Sequence, residues 1–424
     1  MPLYAAIADE IQDRIRLGRY TPGQKIPSIR SMAVEFGCNK LTVQKAFERL
    51  KRHGYLENIV GSGSYVRFSE KIGDAHPLYD FKTAYVSEAF FPYIQARDIF
   101  TDLFDREKSR ALAPTPVAGD PDLLRVLGAH YRVPTKRMLI ISGAQQGLDL
   151  TAKVFSANIS EASLFEDPTY PGAISLFRPK HFVSLDGDGP DLGALDRSLT
   201  RRIKLFYTMP TVHNPTGIAY SLEKKESIAR RAEKAPFYIV EDDYLSEYQD
   251  RPIPRFVDMI PQKTIYIKSL SPTTVPDIRL GFMVVPDGLY DKFLYAKYTS
   301  DIVSTGLLQK FVKAFIQSGG YDDYIHDIRD RIGRRKERLL GLLGACKDLV
   351  VPEPQQGYSL WVESRRSLDL AHVPWTPGEE FSFSPQYRSW FRIAFMNMDD
   401  AAFDKGLDHL RSLFARGSRP PKAG

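Results

Sequence analysis

The sequence predicts an α/β protein in two parts, a small helical head followed by a large domain built on a mostly parallel sheet. Three observations carry this. The first seventy residues hold short helical patterns, each closed by a glycine, and a surplus of basic side chains. From Phe81 onward, short apolar runs alternate with helical patterns, the layout of a sheet covered by helices. A chain of 424 residues also exceeds what one small core needs, so two or three domains are expected.

The head comes first. Leu3 to Leu17 places Leu3, Ile7, Ile11 and Ile15 at helical spacing and stops at Gly18. Thr21-Pro-Gly23 is a turn. Ser28 can cap a short helix that runs through Val34 and ends at Gly37, and Asn39 can cap a third helix, Lys40 to Arg52, closed by Gly54. The third helix carries an apolar stripe (Val43, Ala46, Phe47, Leu50) and an opposite face with Lys40, Thr42, Gln44, Lys45 and Arg49. Two short helices joined by a tight Gly-containing turn, the second polar and basic outside, follow helix-turn-helix logic. Tyr55 to Val66 reads as a hairpin whose Gly61-Ser62-Gly63 tip suits a phosphate or a minor groove. Residues 1–70 hold eleven Lys/Arg against seven Asp/Glu, a surplus of four within a net charge of +6 for the chain. That local excess suits a polyanion.

Phe68 to Asp80 (FSEKIGDAHPLYD) is polar, contains a glycine and a proline, and lacks an apolar period. It predicts a linker over 69–80, separating a head over 1–68 from a body over 81–416. The polar tail, 417–424, is expected to be disordered. In the body, Met138–Ser142, Ser163–Glu166, Leu205–Met209, Tyr238–Glu241, Ile265–Ile267 and Phe282–Val285 read as strands, and Leu222–Lys234 as one of the helices between them. Such sheets bind ligands at the carboxyl ends of their strands.

The candidate motifs fall at those ends. Ile140 to Gly147 (IISGAQQG) is a strand, a Gly turn and a helix start, which together make an anion site. Glu166-Asp-Pro-Thr-Tyr-Pro-Gly172 presents Tyr170, able to stack on a flat ring. Val212-His-Asn-Pro-Thr-Gly217 offers the Asn214 amide as a donor. Glu241-Asp-Asp-Tyr244 ends a further strand with carboxylates able to meet a protonated ring nitrogen. Tyr266 to Gly281 (YIKSLSPTTVPDIRLG) joins two apolar runs through serines, threonines and an arginine suited to an anion.

Composition narrows the classes further. Apolar and charged fractions are those of an ordinary globular chain. There is no run of eighteen apolar residues and no basic-then-apolar leader, so a cytoplasmic protein with no membrane partner is expected. The two cysteines, Cys38 and Cys346, make no disulfide framework, and the eight histidines show no HExxH-like spacing, so no metal site is expected.

The head string, PLYxxIxxxIxxxIxxGxYxPGxxIPSxRxMAxxFG through TVxxAFxxLxxxGYLxxxxGSGSYV, resembles the winged helix-turn-helix of GntR-type regulators over its whole length. The resemblance implies that Asn39, Lys40, Thr42, Gln44 and Lys45 bind double-stranded DNA, the last four entering the major groove. Arg30 and the wing, including Gly61 and Ser62, would contact backbone or groove floor.

The ordered segments SGAQQGLDL, EDPTYPG, HNPTG, EDDY, SxS…RLG and Phe391-Arg-Ile-Ala-Phe395 look like the aminotransferase-type domain of MocR-type regulators, a branch of the GntR family. The fold implied is an N-terminal winged helix-turn-helix plus a fold type I, pyridoxal phosphate (PLP)-dependent aminotransferase-like domain. By the same resemblance, Gly143, Ala144 and Gln145 with Ser269, Ser271 and Arg279 would cradle the cofactor phosphate. Tyr170 would stack on the ring, Asn214 and Tyr244 would bind its oxygen and Asp242 its nitrogen. Arg392 would take the carboxylate of an amino-acid ligand.

One position departs from the pattern. Pro272 stands where the family carries the lysine that forms a Schiff base with the cofactor, and proline has no amine for it. Lys268 lies four residues earlier, at the end of the strand. The expectation is therefore a regulator rather than an enzyme, and the resemblance implies a homodimer that binds an operator with two half-sites and senses a small-molecule effector. PLP, its amine form or an amino-acid adduct would be held non-covalently. The alternatives are an aminotransferase with a relocated lysine, and a DNA-binding protein whose body is only a dimerisation scaffold.

Overall fold

The computed structural model describes residues 2–16, 20, 23–59, 63–67, 79–155, 161–249, 252–365 and 374–416. The chain divides into two compact units, Met1–His76 and Pro77–Gly424.

In the first unit, α1 (Leu3–Arg16), α2 (Ile29–Glu35) and α3 (Lys40–Arg52) precede a hairpin of β1 (Leu56–Ile59) and β2 (Gly63–Val66). The caps are those the sequence predicts. Ser28 Oγ accepts from the Ser31 amide at 3.2 Å, and Asn39 Oδ1 accepts from the Thr42 amide at 2.8 Å. Both following helices end in the same motif. Gly37 and Gly54 sit at positive φ (58° and 76°), and the next amides, of Cys38 and Tyr55, bond back to Ala33 O and Leu50 O. A residue with a Cβ is disfavoured in that conformation, which is why glycine ends both helices. Ile7, Ile11, Met32, Val43, Phe47 and Leu50 form the core with Leu56 and Val66. Leu3 departs from the expected stripe. It is the first residue of α1 and stays 57% exposed, while its neighbour Tyr4 packs against that core. Leu17, Gly18 and the tip residues Gly61 and Ser62 lie outside the described residues, as do most of the expected linker and all of the tail.

The second unit is organised by an eight-stranded sheet. Its strands are β3 (Met138–Ile141), β4 (Ala162–Asp167), β5 (Lys180–Asp186), β6 (Gly189–Pro190), β7 (Ile203–Thr208), β8 (Tyr238–Asp243), β9 (Thr264–Ser269) and β10 (Gly281–Val284), in the order β3-β10-β9-β8-β7-β4-β5-β6. Pairing is parallel from β9 to β5, while β10 runs antiparallel to both β9 and β3, and β6 to β5. Successive residues serve opposite faces. Val240, Ile265 and Ile267 pack with Leu148 and Phe293 on one side. Ile239 joins Ile228 and Ala232, and Tyr266 joins Phe311 and Tyr321, on the other. A sheet buried on both faces needs apolar residues throughout, hence the continuous runs in the sequence.

A second, four-stranded antiparallel sheet follows, with β11 (Leu349–Val350), β12 (Ser359–Ser364), β13 (Thr376–Pro377) and β14 (Trp390–Ala394) in the order β11-β12-β14-β13. It packs through Leu360, Val362, Phe391 and Ile393 on the helices Gly320–Gly344 and Asp400–Arg416. Phe81 is bridged to Trp375, and the Tyr79 ring packs at a tilt against His409, so the end of the expected linker belongs to this unit. No helix among the described residues is long and apolar enough to cross a membrane.

Candidate functional site

The carboxyl ends of β3, β4, β7, β8 and β9 open on a cavity of about 540 Å³. Ala144, Gln145, Tyr170, Asn214 and Asp242 line it, as do Tyr244, Ser269, Ser271, Arg279 and Arg392. Of the eleven body residues singled out from the sequence, ten thus line one cavity. Gly143, the eleventh, lies under Arg279: a Cβ there would sit 3.3 Å from the Arg279 guanidinium. Gly143 itself has φ +81°, a backbone conformation that favours glycine. Arg279 holds φ at 43°, an uncommon conformation for a non-glycine residue and one that ligand clamps use.

Each wall residue is positioned by the element that carries it. Strand alternation turns Asp242 toward the face of Val240, and Glu241 and Asp243 toward the other. Asp242 Oδ2 accepts from Tyr207 Oη at 2.7 Å, whereas its Oδ1 is buried with no partner. Burial pushes its carboxyl up to about 7, with the Tyr207 bond acting in the opposite direction. Arg392, on β14, is 7% exposed. It donates to Asn214 Oδ1 at 2.8 Å and to Lys82 O at 2.7 Å, lies over the Phe381 ring, and keeps a buried Nε without a partner. Those partners are neutral, and burial lowers its pKa. A guanidinium can only donate, so Asn214 must turn its oxygen to Arg392, leaving its NH₂ as the free donor. Ser271 Oγ is a third buried atom without a partner. Tyr170 donates to Gln145 Oε1 at 3.3 Å, and burial raises the pKa of both Tyr170 and Tyr244.

Pro272 lines this cavity, and no lysine does among the described residues. Lys268 is one residue before Ser269 on β9, and alternation sends it to the opposite face of the sheet. There it is fully buried. Its Nζ donates to Glu247 Oε2 at 2.6 Å and Ser246 Oγ at 3.0 Å, with Asp243 Oδ1 at 3.4 Å. Tyr131 and Tyr321 close the network by donating to Glu247 Oε1, and Tyr321 Oη also lies 2.9 Å from Thr273 Oγ1, from which it can accept.

Three features escape a sequence reading. Ala84 and Tyr85 line the cavity from a segment without periodicity. Tyr207 looks like one more core aromatic of β7, yet it orients Asp242. Glu166, read only as a strand end and the start of a turn motif, is a buried hub that accepts from Tyr220 Oη, Thr208 Oγ1 and the Met209 amide.

In the head, Arg30, Asn39, Lys40, Gln44 and Lys45 are exposed and Thr42 is half-buried. Thr42 also donates its hydroxyl to Asn39 Oδ1 at 2.9 Å, so that pair is engaged in capping α3.

Residues 106–410 match the aminotransferase class I and II family, and residues 3–66 match the gntR family of bacterial regulatory proteins. This chain belongs to the MocR-type branch of the GntR family. It is 30% identical to the uncharacterized HTH-type transcriptional regulator YcxD of Bacillus subtilis, over 80% of each chain. It is 23% identical to the probable rhizopine catabolism regulatory protein MocR of Rhizobium meliloti, over 98% of this chain and 94% of that one. Its fold matches the α-aminoadipate aminotransferase LysN of Thermus thermophilus (TM-score 0.72, 23% identity, 79% of this chain and 92% of that one). Kynurenine aminotransferase of Pyrococcus horikoshii matches similarly (TM-score 0.73, 22% identity, 83% and 98%). The MocR-type architecture makes the chain a GntR-type DNA-binding regulator fused to an aminotransferase-like body.

Proposed function

We propose that the body is a sensor that holds pyridoxal phosphate, its amine form or an amino-acid adduct without a covalent bond, and that the protein is a regulator rather than a transaminase. The observation that carries this is a set of three buried, unpartnered polar atoms on residues that line one cavity, Asp242 Oδ1, Ser271 Oγ and Arg392 Nε. A buried polar group without a partner is costly, and most find one. A ligand with a phosphate, a protonated ring nitrogen and a carboxylate meets all three. Arg279, Ser269, Ser271 and the helix start at Ala144 would hold the phosphate, Asp242 the ring nitrogen, and Asn214 and Tyr244 the ring oxygen. Tyr170 would cover the ring, and Arg392 would take the carboxylate of an amino acid.

Such a cofactor supplies an aldehyde that condenses with amines and a ring that withdraws electrons. Transamination further needs an amine placed beside it to carry the proton, and position 272 offers none. Lys268 does not replace it, since its ammonium is tied to Glu247 on the far face of the sheet. The DNA-reading residues would be Arg30 with Lys40, Gln44 and Lys45 of α3, together with the wing. A homodimer would present two heads to two half-sites in the cytoplasm, with ligand shifting the population between states of different operator affinity.

The test is a titration of the full-length protein with pyridoxal phosphate and pyridoxamine phosphate, followed by borohydride reduction and peptide mapping. Saturable binding is expected in the parent, weakened at least about tenfold by Arg279→Ala and by Asp242→Ala, the loss of one charge-assisted contact each. No pyridoxyl group should appear on Lys268, whereas a Pro272→Lys variant should acquire one at 272. Equal binding by parent and both variants would sink the sensor reading, and a pyridoxyl group on Lys268 would revive the enzyme.

A further inference from the structure

We propose that Leu41 reads the methyl group of a thymine in each operator half-site. The buried stripe of α3, formed by Val43, Ala46, Phe47 and Leu50, is at most 1% exposed. Residues at helical spacing on the other side are Leu41, Gln44, Lys45 and Glu48, all exposed. Three of these are polar or charged. Leu41 is 69% exposed and sits in the first turn of the helix. A single exposed leucine needs no explanation by itself. The position gives this one a task, because in a helix-turn-helix the N-terminal residues of the second helix meet the base edges.

The polar neighbours sharpen the assignment. Thr42 gives both its amide and its hydroxyl hydrogen to Asn39 Oδ1, at 2.8 and 2.9 Å, so those donors are used within the helix. Lys40, Gln44 and Lys45 remain for phosphates and for hydrogen-bonding base edges. Leucine can do neither. In the major groove, the apolar feature that distinguishes one base pair from another is the thymine C5-methyl. The side chain therefore specifies T·A at one position and leaves its neighbours to the polar residues. This rests on α3 being the base-reading helix.

The experiment uses the full-length protein and operators it selects from random-sequence DNA. Each thymine is replaced in turn by uracil, which removes only the methyl group, and affinity is measured at fixed salt for the parent, Leu41→Ala and Lys45→Ala. At one thymine per half-site, uracil is expected to weaken the parent roughly fourfold, the factor carried by one buried methyl, while Leu41→Ala binds the thymine and uracil operators alike. If every uracil operator binds the parent normally while Lys45→Ala weakens binding, the Leu41 assignment is wrong and the role of α3 stands. If Leu41→Ala weakens thymine and uracil operators equally, the leucine acts elsewhere and the proposal fails. If Lys45→Ala also binds as the parent does, the reading of α3 falls with it.

Discussion

Lys268 shows how one side chain can be decided by the face of a strand. Its ammonium is fully buried against Glu247 and Asp243, whose side chains are 8% and 0% exposed. A buried cation with two buried carboxylates is a closed arrangement, and losing one member leaves charge without compensation. Lys268→Met is therefore expected to destabilise the large unit by about 3–5 kcal/mol, read as a lower urea midpoint. Adding Glu247→Gln should recover part of the loss. A Lys268→Met protein within about 1 kcal/mol of the parent would show that the network is not structural. The same residue marks a limit of sequence reading. Its place at a strand end was legible, but its partners lie on β8 and on the segment after it, and only the folded register brings them within reach.

At the scale of elements, the end of β8 sets three successive acids in three environments. Glu241 accepts from the Phe256 and Val257 amides, Asp242 from Tyr207, and Asp243 from Tyr266 and Ser246. Burial pushes Glu241 and Asp242 up to about 7. The sign follows. Between about pH 4 and 7 the unfolded chain has released these protons while the folded chain keeps them, so stability falls as pH rises through that window. Asp242→Asn keeps an acceptor for Tyr207 and removes one of the two groups. The ligand-free variant should gain on the parent progressively over that range, by at most about 4 kcal/mol. A gap that does not change with pH, measured by denaturant unfolding, would contradict the burial argument. Elements also differ in how plainly the sequence announces them. The six expected strands of the large sheet are continuous apolar runs because both faces are covered. β11 and β13 are only two residues long and exist through pairing with β12 and β14, so no local pattern foretells them. Tyr85 escapes for the same reason, since its segment has no period to read.

Across the whole molecule, the two units keep separate cores. The head's core draws on residues between Tyr4 and Val66, and the three clusters of the body on residues from Tyr79 onward. Two unfolding transitions are expected in calorimetry. Pyridoxamine phosphate at about one hundred times its Kd should stabilise only the larger, by about 2.7 kcal/mol. A shift of the head's transition alone would place the ligand in the wrong unit. Pro272 has a last consequence, and it concerns time. A cofactor tethered by an imine leaves only after that bond is broken, by water or by an incoming amine. With proline in the tether's place, every contact with the proposed ligand would be reversible, and residence would end at the dissociation rate that the contacts themselves set. A promoter governed by this protein would then track a falling ligand supply as fast as the cavity empties, with nothing retained from the previous occupancy.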